Sequence, residues 1–197
     1  MKHLTTIILL FITLISKGQD ITIIEEVKSK DTIPTGQAII YGNFIQRLGF
    51  SSGGFPQDIR LINLDTKEIY SFRVKPTYKS AKENTFIFTL KPGNYGILNY
   101  WWTQSKWYGG KTYTEPIFKG IDTTIDSDQK NISGKVREVE MQQFTFSLMA
   151  NSLNYLGTWH FDKGLVFFTD DKKQFDESIK SKYQKLDFQK AKIVLPN

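Results

Sequence analysis

The chain has 197 residues, 26 of them Lys or Arg against 20 Asp or Glu, with 40% hydrophobic and 14% aromatic residues and no cysteine. The lack of cysteine excludes a disulfide framework, thiol catalysis, a thiolate metal site and the lipid-modified cysteine that follows a lipoprotein leader. The basic excess is scattered (Lys28 and Lys30, Lys79 and Lys82, Lys172 and Lys173), without the dense stripe and recognisable module of a nucleic-acid binder.

Met1, Lys2 and His3 form a basic head, Leu4 to Ile15 an apolar run broken by threonines, and Ser16-Lys17-Gly18 a small-x-small exit. This is the pattern of a signal peptide over residues 1–18. Its apolar run of about twelve residues falls short of the roughly twenty that a membrane-spanning helix needs, so no transmembrane anchor is expected. The leader resembles that of a Gram-negative envelope protein, which implies a periplasmic or extracellular location. Its removal takes two of the 26 basic residues, leaving 24 against 20 acidic and a formal charge of +4. The remaining chain is long enough for one core without covalent staples.

Residues 19–36 are polar and end in Ile33-Pro34-Thr35-Gly36, which reads as a flexible or edge-lying lead-in to a single domain over 37–197. From Gln37 to Arg47, β-branched and aromatic residues on both faces predict a strand apolar on both sides. The loop from Leu48 to Pro56 carries Ser51-Ser52-Gly53-Gly54. Ile59–Leu64 and Glu68–Val74, joined at Asp65-Thr66-Lys67, predict a hairpin with Tyr70, Phe72 and Val74 on one face. Thr85 to Leu90 puts Phe86, Phe88 and Leu90 on one side. Lys91-Pro92-Gly93-Asn94 then has the proline and glycine of a type II turn, and Tyr95 to Trp102 is expected to return as the second strand of a hairpin.

The pattern F-x-F-x-L-K-P-G-N-Y-G-I at Phe86 to Ile97 resembles the penultimate hairpin of prealbumin-like β-sandwich modules, the kind called carboxypeptidase regulatory-like or Cna-B-like. The segments Gly36-Gln37-Ala38-Ile39-Ile40-Tyr41-Gly42 and Ile59-Arg60-Leu61-Ile62-Asn63 sit where earlier strands of such a module fall. The likeness covers about residues 36–102. It implies an antiparallel sandwich in a structural or binding role and transfers no active-site residue.

Thr103 to Gln143 reads as irregular and polar. Alternation resumes with Phe144, Phe146, Leu148 and Ala150, then Tyr155–Phe161 and Leu165–Phe168, predicting a further set of strands. Phe175, Ile179, Tyr183 and Leu186 recur at helical spacing, with Asp171 and Gln174 as a capping pair and Asp176–Lys180 as an ion pair, predicting a helix over 172–185. Ala191, Ile193 and Leu195 alternate like a short strand. The expected fold is therefore mainly β: a prealbumin-like antiparallel β-sandwich with extra strands and one C-terminal amphipathic helix.

Catalytic patterns are sparse. His160 is the one histidine beyond the leader, and alternation places it with Leu156 and Thr158, as an edge or structural residue with no nucleophile elbow beside it. Paired carboxylates for glycosidase chemistry would have to come from Glu25, Glu26, Glu115, Glu138, Glu140, Asp170 and Asp171, among which spacing does not choose. Asp122, Asp126, Asp128 and Asn131 lack the glycine and distal glutamate of a calcium loop. Gly109-Gly110-Lys111-Thr112 lacks the first glycine of a phosphate loop, where Ser105 stands. No metal, cofactor or catalytic residue is therefore expected.

The aromatic run Tyr100, Trp101, Trp102, Trp107, Tyr108 and Tyr113 holds three of the four tryptophans. Successive strand side chains face opposite ways, so Trp101 and Trp102 cannot both enter one core layer. An indole with a broad apolar face and a polar N–H suits stacking on a sugar ring or anchoring a protein. These six residues form the candidate ligand-binding site of an exported, non-enzymatic envelope protein with a binding or assembly role, its partner an envelope protein or an extracellular glycan. The alternatives are a dedicated carbohydrate-binding module with this aromatic platform and a carboxylate-dependent glycosidase.

Overall fold

The computed structural model describes residues 20–45, 57–74, 83–106, 109–120, 142–161 and 165–197. Within them lie strands β1 (Ile21–Ile23), β2 (Ala38–Ile45), β3 (Gln57–Asn63), β4 (Ile69–Val74), β5 (Glu83–Leu90), β6 (Gly93–Lys106), β7 (Gly109–Pro116), β8 (Thr145–Leu148), β9 (Ser152–His160) and β10 (Phe167–Thr169), helix α1 (Lys172–Ile179), a 3₁₀ turn (Phe188–Lys190) and β11 (Lys192–Ile193). One sheet runs β1-β4-β3-β6-β7, with β8 alongside the first residues of β6; the other runs β10-β9-β2-β5, with β11 also on β9. The segment expected to be a signal peptide and the expected loop from Leu48 to Pro56 lie outside the described residues.

The two sheets face each other across a shared core in a sandwich-like arrangement. Phe72 of β4 meets Phe86 and Phe88 of β5 and Trp159 of β9 at ring separations of 5.3, 5.2 and 5.9 Å, and Phe44 of β2 meets Tyr100 of β6 at 6.0 Å. Trp159 is fully buried and its indole N–H donates to the Leu156 carbonyl at 2.9 Å, so the polar end of this large ring is satisfied inside the core.

Strand β2 is apolar on both faces, as its sequence predicts, because its sheet is covered on both. Ala38, Ile40 and Phe44 point into the inter-sheet core. Ile39 and Tyr41 point the other way, into a second cluster with Leu153, Tyr155, Phe175, Ile179, Tyr183, Leu186 and Phe188. Full burial of one such aliphatic side chain contributes about 1.5–3 kcal/mol, so α1 and the chain after it form a third layer that removes the outer face of β2 from water. The helix is shorter than expected, Lys172–Ile179, and Tyr183 and Leu186 reach the cluster from the turns that follow. Asp171 occupies the N-cap position without a side-chain capping bond; its carboxylate accepts instead from Thr169 Oγ1 at 2.8 Å. Asp176 pairs with Lys172 rather than Lys180, and accepts from the Tyr41 hydroxyl at 2.8 Å, which pins α1 to β2.

The expected antiparallel sandwich is in fact built from two mixed sheets. β1 runs parallel to β4, and β2 and β11 run parallel to β9. A central strand buried on both faces suits parallel pairing. The later strands are not an appendage, since β9 occupies the middle of one sheet and β8 lies in the other.

The β3–β4 hairpin forms as expected, its turn fixed by the Asn63 side chain accepting from the Asp65 and Thr66 amides, with Lys67 at φ 63°. The Pro-Gly hairpin does not form. β5 and β6 belong to different sheets, so Lys91 to Gly93 carries the chain across the sandwich, with Gly93 at φ 147° and a Cβ there 2.8 Å from Asn63 Nδ2. The chain is also paired before Gln37: Ile21–Ile23 lies on β4, and Glu25 to Val27 bonds to β5, through Thr89 N–H to Glu25 C=O at 3.0 Å and Val27 N–H to Ile87 C=O at 3.1 Å. This strap laces one side of the sandwich. The other is laced by residues 192–197, which pair with β9 and then with Thr145.

β2 and β9 come close together where two glycines meet. A Cβ on Gly42 would lie 2.4 Å from the Gly157 carbonyl oxygen and 2.7 Å from the Phe86 ring, and Gly157 has φ +90°. The β2–β9 register shifts at this point, between Tyr41 and Asn43. Leu156 and Trp159 therefore both face the core, and His160 leaves the face of Leu156 on which simple alternation places it.

Two measurements test this description. Gly42→Ala is expected to destabilise the protein by about 3 kcal/mol, the upper end for overpacking, read as a lowered urea midpoint. Burial, then the Asp176 hydrogen bond, holds the Tyr41 phenol far above its ordinary pKa of 10.0, and burial pushes Tyr70 and Tyr95 up to about 12. The native state therefore keeps protons that the unfolded chain releases, so this stability is complete below about pH 10 and declines as pH rises toward the folded values. Tyr41→Phe is expected to flatten that alkaline decline, at a neutral-pH cost of about 1–2 kcal/mol, in urea unfolding repeated from pH 8 to 12.

Candidate functional site

The register of β6 against β3 determines which aromatics reach solvent. Arg60 pairs with Asn99 and Leu61 with Ile97, leaving Leu98 as an extra residue in a bulge. Such a bulge reverses the alternation beyond it. Tyr95 and Ile97 before it face the core, and Tyr100 after it does too. Asn99 and Trp101 are thereby placed on the outer face of the six-stranded sheet. Without the bulge, Asn99 and Trp101 would fall in line with Tyr95 and Ile97.

On that outer face, Asp58 lies opposite both Arg73 of β4 and Trp101 of β6, and Arg60 opposite both Ser71 and Asn99. Arg73 holds Asp58 with two bonds, Nε to Oδ1 at 2.8 Å and Nη2 to Oδ2 at 3.2 Å. The first of these bonds and the charge of Asp58 raise the Arg73 pKa further. Asp58 is thus a buried acid already paired with a guanidinium. Arg60 takes a different neighbour: its guanidinium carbon lies 5.4 Å from the centre of the Trp101 ring, in cation–π range.

Two buried polar atoms here have no hydrogen-bond partner, Arg60 Nε and Asn99 Oδ1. Leaving such a group unsatisfied costs about 1–3 kcal/mol. Both orphans sit at one cross-strand pair, and a half-buried tryptophan stands beside them. A guanidinium, a carboxamide and an indole recognise a ligand through hydrogen bonds, charge and an apolar ring face.

The candidate aromatics divide accordingly. Tyr100 is a core residue, 5% exposed and packed on Phe44 and Phe161, so it is withdrawn from the site. Trp101 stays in it. Trp102 and Tyr113 are cross-strand partners in β6 and β7, and Trp107 and Tyr108 lie outside the described residues. The segment after Thr103 is not irregular throughout, since β6 and β7 pair from Asn99–Pro116 to Lys106–Gly109. Gly109 to Thr112 are accordingly strand residues. Arg60 and Asn99 were missed. Alternation about Ile59 and Leu61 already turns Arg60 outward, but its partner depends on a bulge that no residue type announces.

A second polar cluster surrounds His160 on the helix-covered side of the other sheet. Its Nε2 lies 2.9 Å from Thr169 Oγ1, its ring stacks on Phe167 at 4.2 Å, and Thr169 donates to Asp171. This chain joins β9, β10 and the start of α1, a structural use of the three polar groups. A cavity of about 290 Å³ lined by Asn43, Thr158, His160, Gln174 and Ser178 adjoins it. Glu138, Glu140 and the Asp122–Asn131 group lie outside the described residues. Among the described residues no three His, Asp or Glu side chains gather as a metal site needs, and no helix is long and apolar enough to cross a membrane.

No family model matches the chain, and no curated protein matches it. Among solved structures it is similar to a leucine-rich repeat protein from Bacteroides thetaiotaomicron VPI-5482, at 13% identity and a TM-score of 0.35, over 77% of this chain and 16% of that one.

Core and surface roles within the aromatic run separate by mutation. Tyr100→Ala is expected to cost about 3–5 kcal/mol, as deletion of a buried aromatic does, and Trp101→Ala about 1 kcal/mol or less, in paired urea denaturation curves.

Proposed function

We propose that the protein is an exported, non-enzymatic binding protein of the bacterial envelope, and that it holds an extracellular saccharide on the outer face of its six-stranded sheet. The observation that carries this reading is the cross-strand pair Arg60–Asn99, which holds two unsatisfied buried polar atoms beside the half-buried Trp101. A sugar ring offers an apolar C–H face to an indole, and its hydroxyls donate and accept at the rim. The leader at residues 1–18 supports export to the periplasm or beyond.

The prealbumin-like reading of residues 37–102 belongs to the same proposal. That stretch supplies β2 and β5 to one sheet and β3, β4 and β6 to the other, a division between facing layers that supports a module of this kind. Such modules serve mostly as binding or structural units, in agreement with the role proposed.

Titration of the mature protein with envelope and plant polysaccharides, followed by tryptophan fluorescence, tests the proposal. A saturable shift that Trp101→Ala abolishes without lowering the unfolding midpoint is expected, and a parallel loss in Trp107→Ala would extend the site along the β6–β7 hairpin. Silence toward every glycan, together with specific cross-linking to one envelope protein, would replace the saccharide reading with an assembly role.

A further inference from the structure

We infer that the saccharide is an acidic one, a uronic acid unit whose carboxylate is taken by Arg60; this rests on the saccharide reading above. The inference comes from the charges left unbalanced on the outer face of the six-stranded sheet. Asp58 and Arg60 project from the same side of β3, and the nearest acid to Arg60 along that strand face is therefore Asp58. Arg73 already occupies both carboxylate oxygens of Asp58. Among the described residues no ion pair involves Arg60, and its Nε has no acceptor although it is buried. A guanidinium is always charged and offers its N–H groups as a rigid planar fork, which a carboxylate matches with two parallel bonds.

The neighbours of Arg60 narrow the class further. Asn99 Oδ1, directly across the strand pair, is an acceptor that needs a donor, which a sugar hydroxyl supplies. Trp101 stands two residues along β6 on the same face as Asn99, with the Arg60 guanidinium over its ring. One uronic acid unit carries all three complements on a single ring: a carboxylate, vicinal hydroxyls and an axial C–H face. A neutral hexose leaves Arg60 without its anion, and inorganic phosphate leaves the indole without its apolar partner. The formal charge of +6 for the whole chain, reduced by the leader's two lysines in the mature protein, adds long-range attraction toward an acidic polymer.

The test uses the mature protein, polygalacturonate and the same polymer with its carboxyl groups reduced to alcohols. Polygalacturonate is expected to bind saturably, and carboxyl reduction to weaken binding about tenfold or more, the loss of charge-assisted hydrogen bonds. Arg60→Lys, which keeps the charge and removes the fork, is expected to weaken polygalacturonate binding about tenfold as well. Asn99→Asp supplies Arg60 with an internal carboxylate, so it is expected to raise the unfolding midpoint while abolishing binding; a more stable protein that no longer binds separates loss of the site from loss of the fold. Equal affinity for the reduced polymer, or unchanged affinity in Asn99→Asp, overturns the acidic assignment. In that case a Trp101→Ala variant that loses binding to the neutral polymer leaves the saccharide reading standing. If neither polymer binds and neutral glycans also fail, both fall together.

Discussion

From Ala38 to Tyr41, strand β2 has no side turned to water, and the rest of the architecture answers that constraint. One face requires an opposing sheet, and the other requires a cover, which the sequence provides after Asp171 in α1 and the turns that follow it. Polar groups within this cover are matched to one another: the Tyr41 hydroxyl donates to Asp176, whose other oxygen takes Lys172, and Lys172 also donates to the Phe188 carbonyl at 2.8 Å. A buried charge without such partners would oppose burial by several kcal/mol. Here the polar network closes on itself, and it fixes how the helix lies on the strand.

The same economy of partners explains the outer face of the other sheet. Two arginines and one buried acid share a few strand positions, and Arg73 holds both oxygens of the acid. Arg60 is left with an aromatic ring as its neighbour and a carboxamide as its cross-strand partner. Folding alone gives little return for burying its Nε there. The uncompensated donor and acceptor at one spot, beside a tryptophan, are the observation on which the proposed saccharide site rests.

What could be read from residue order was mainly which faces are apolar. The β3–β4 hairpin was legible because alternation and turn chemistry agree at Asp65-Thr66-Lys67. The two-sided character of β2 was legible because Ile39, Ile40 and Tyr41 leave no polar face. Pairing partners were not legible. Phe86, Phe88 and Leu90 announce a buried face and Pro92-Gly93 a change of direction, but a reversal within a sheet and a crossing between sheets use the same residues. The site failed to appear in full for a related reason. One inserted residue, Leu98, exchanges the inside and outside of everything after it, which sent Tyr100 inward and Trp101 outward. Gly157 does the same for Trp159 and His160, and its small size marks a close approach without saying what approaches.

The position of β9 has a consequence for how the molecule comes into being. The strand that completes the middle of one sheet lies in the final quarter of the chain, yet its partner β2 lies in the first. Until Ser152–His160 arrives, β2 has only β5 beside it, and the cover over its outer face is missing too. Nearly the whole chain must be present before a protected core exists, so the nascent polypeptide stays threadable to a late stage. A topology that postpones closure in this way keeps the chain open until its last quarter has been made, and leaves the long-range β2–β9 pairing to a late step of folding.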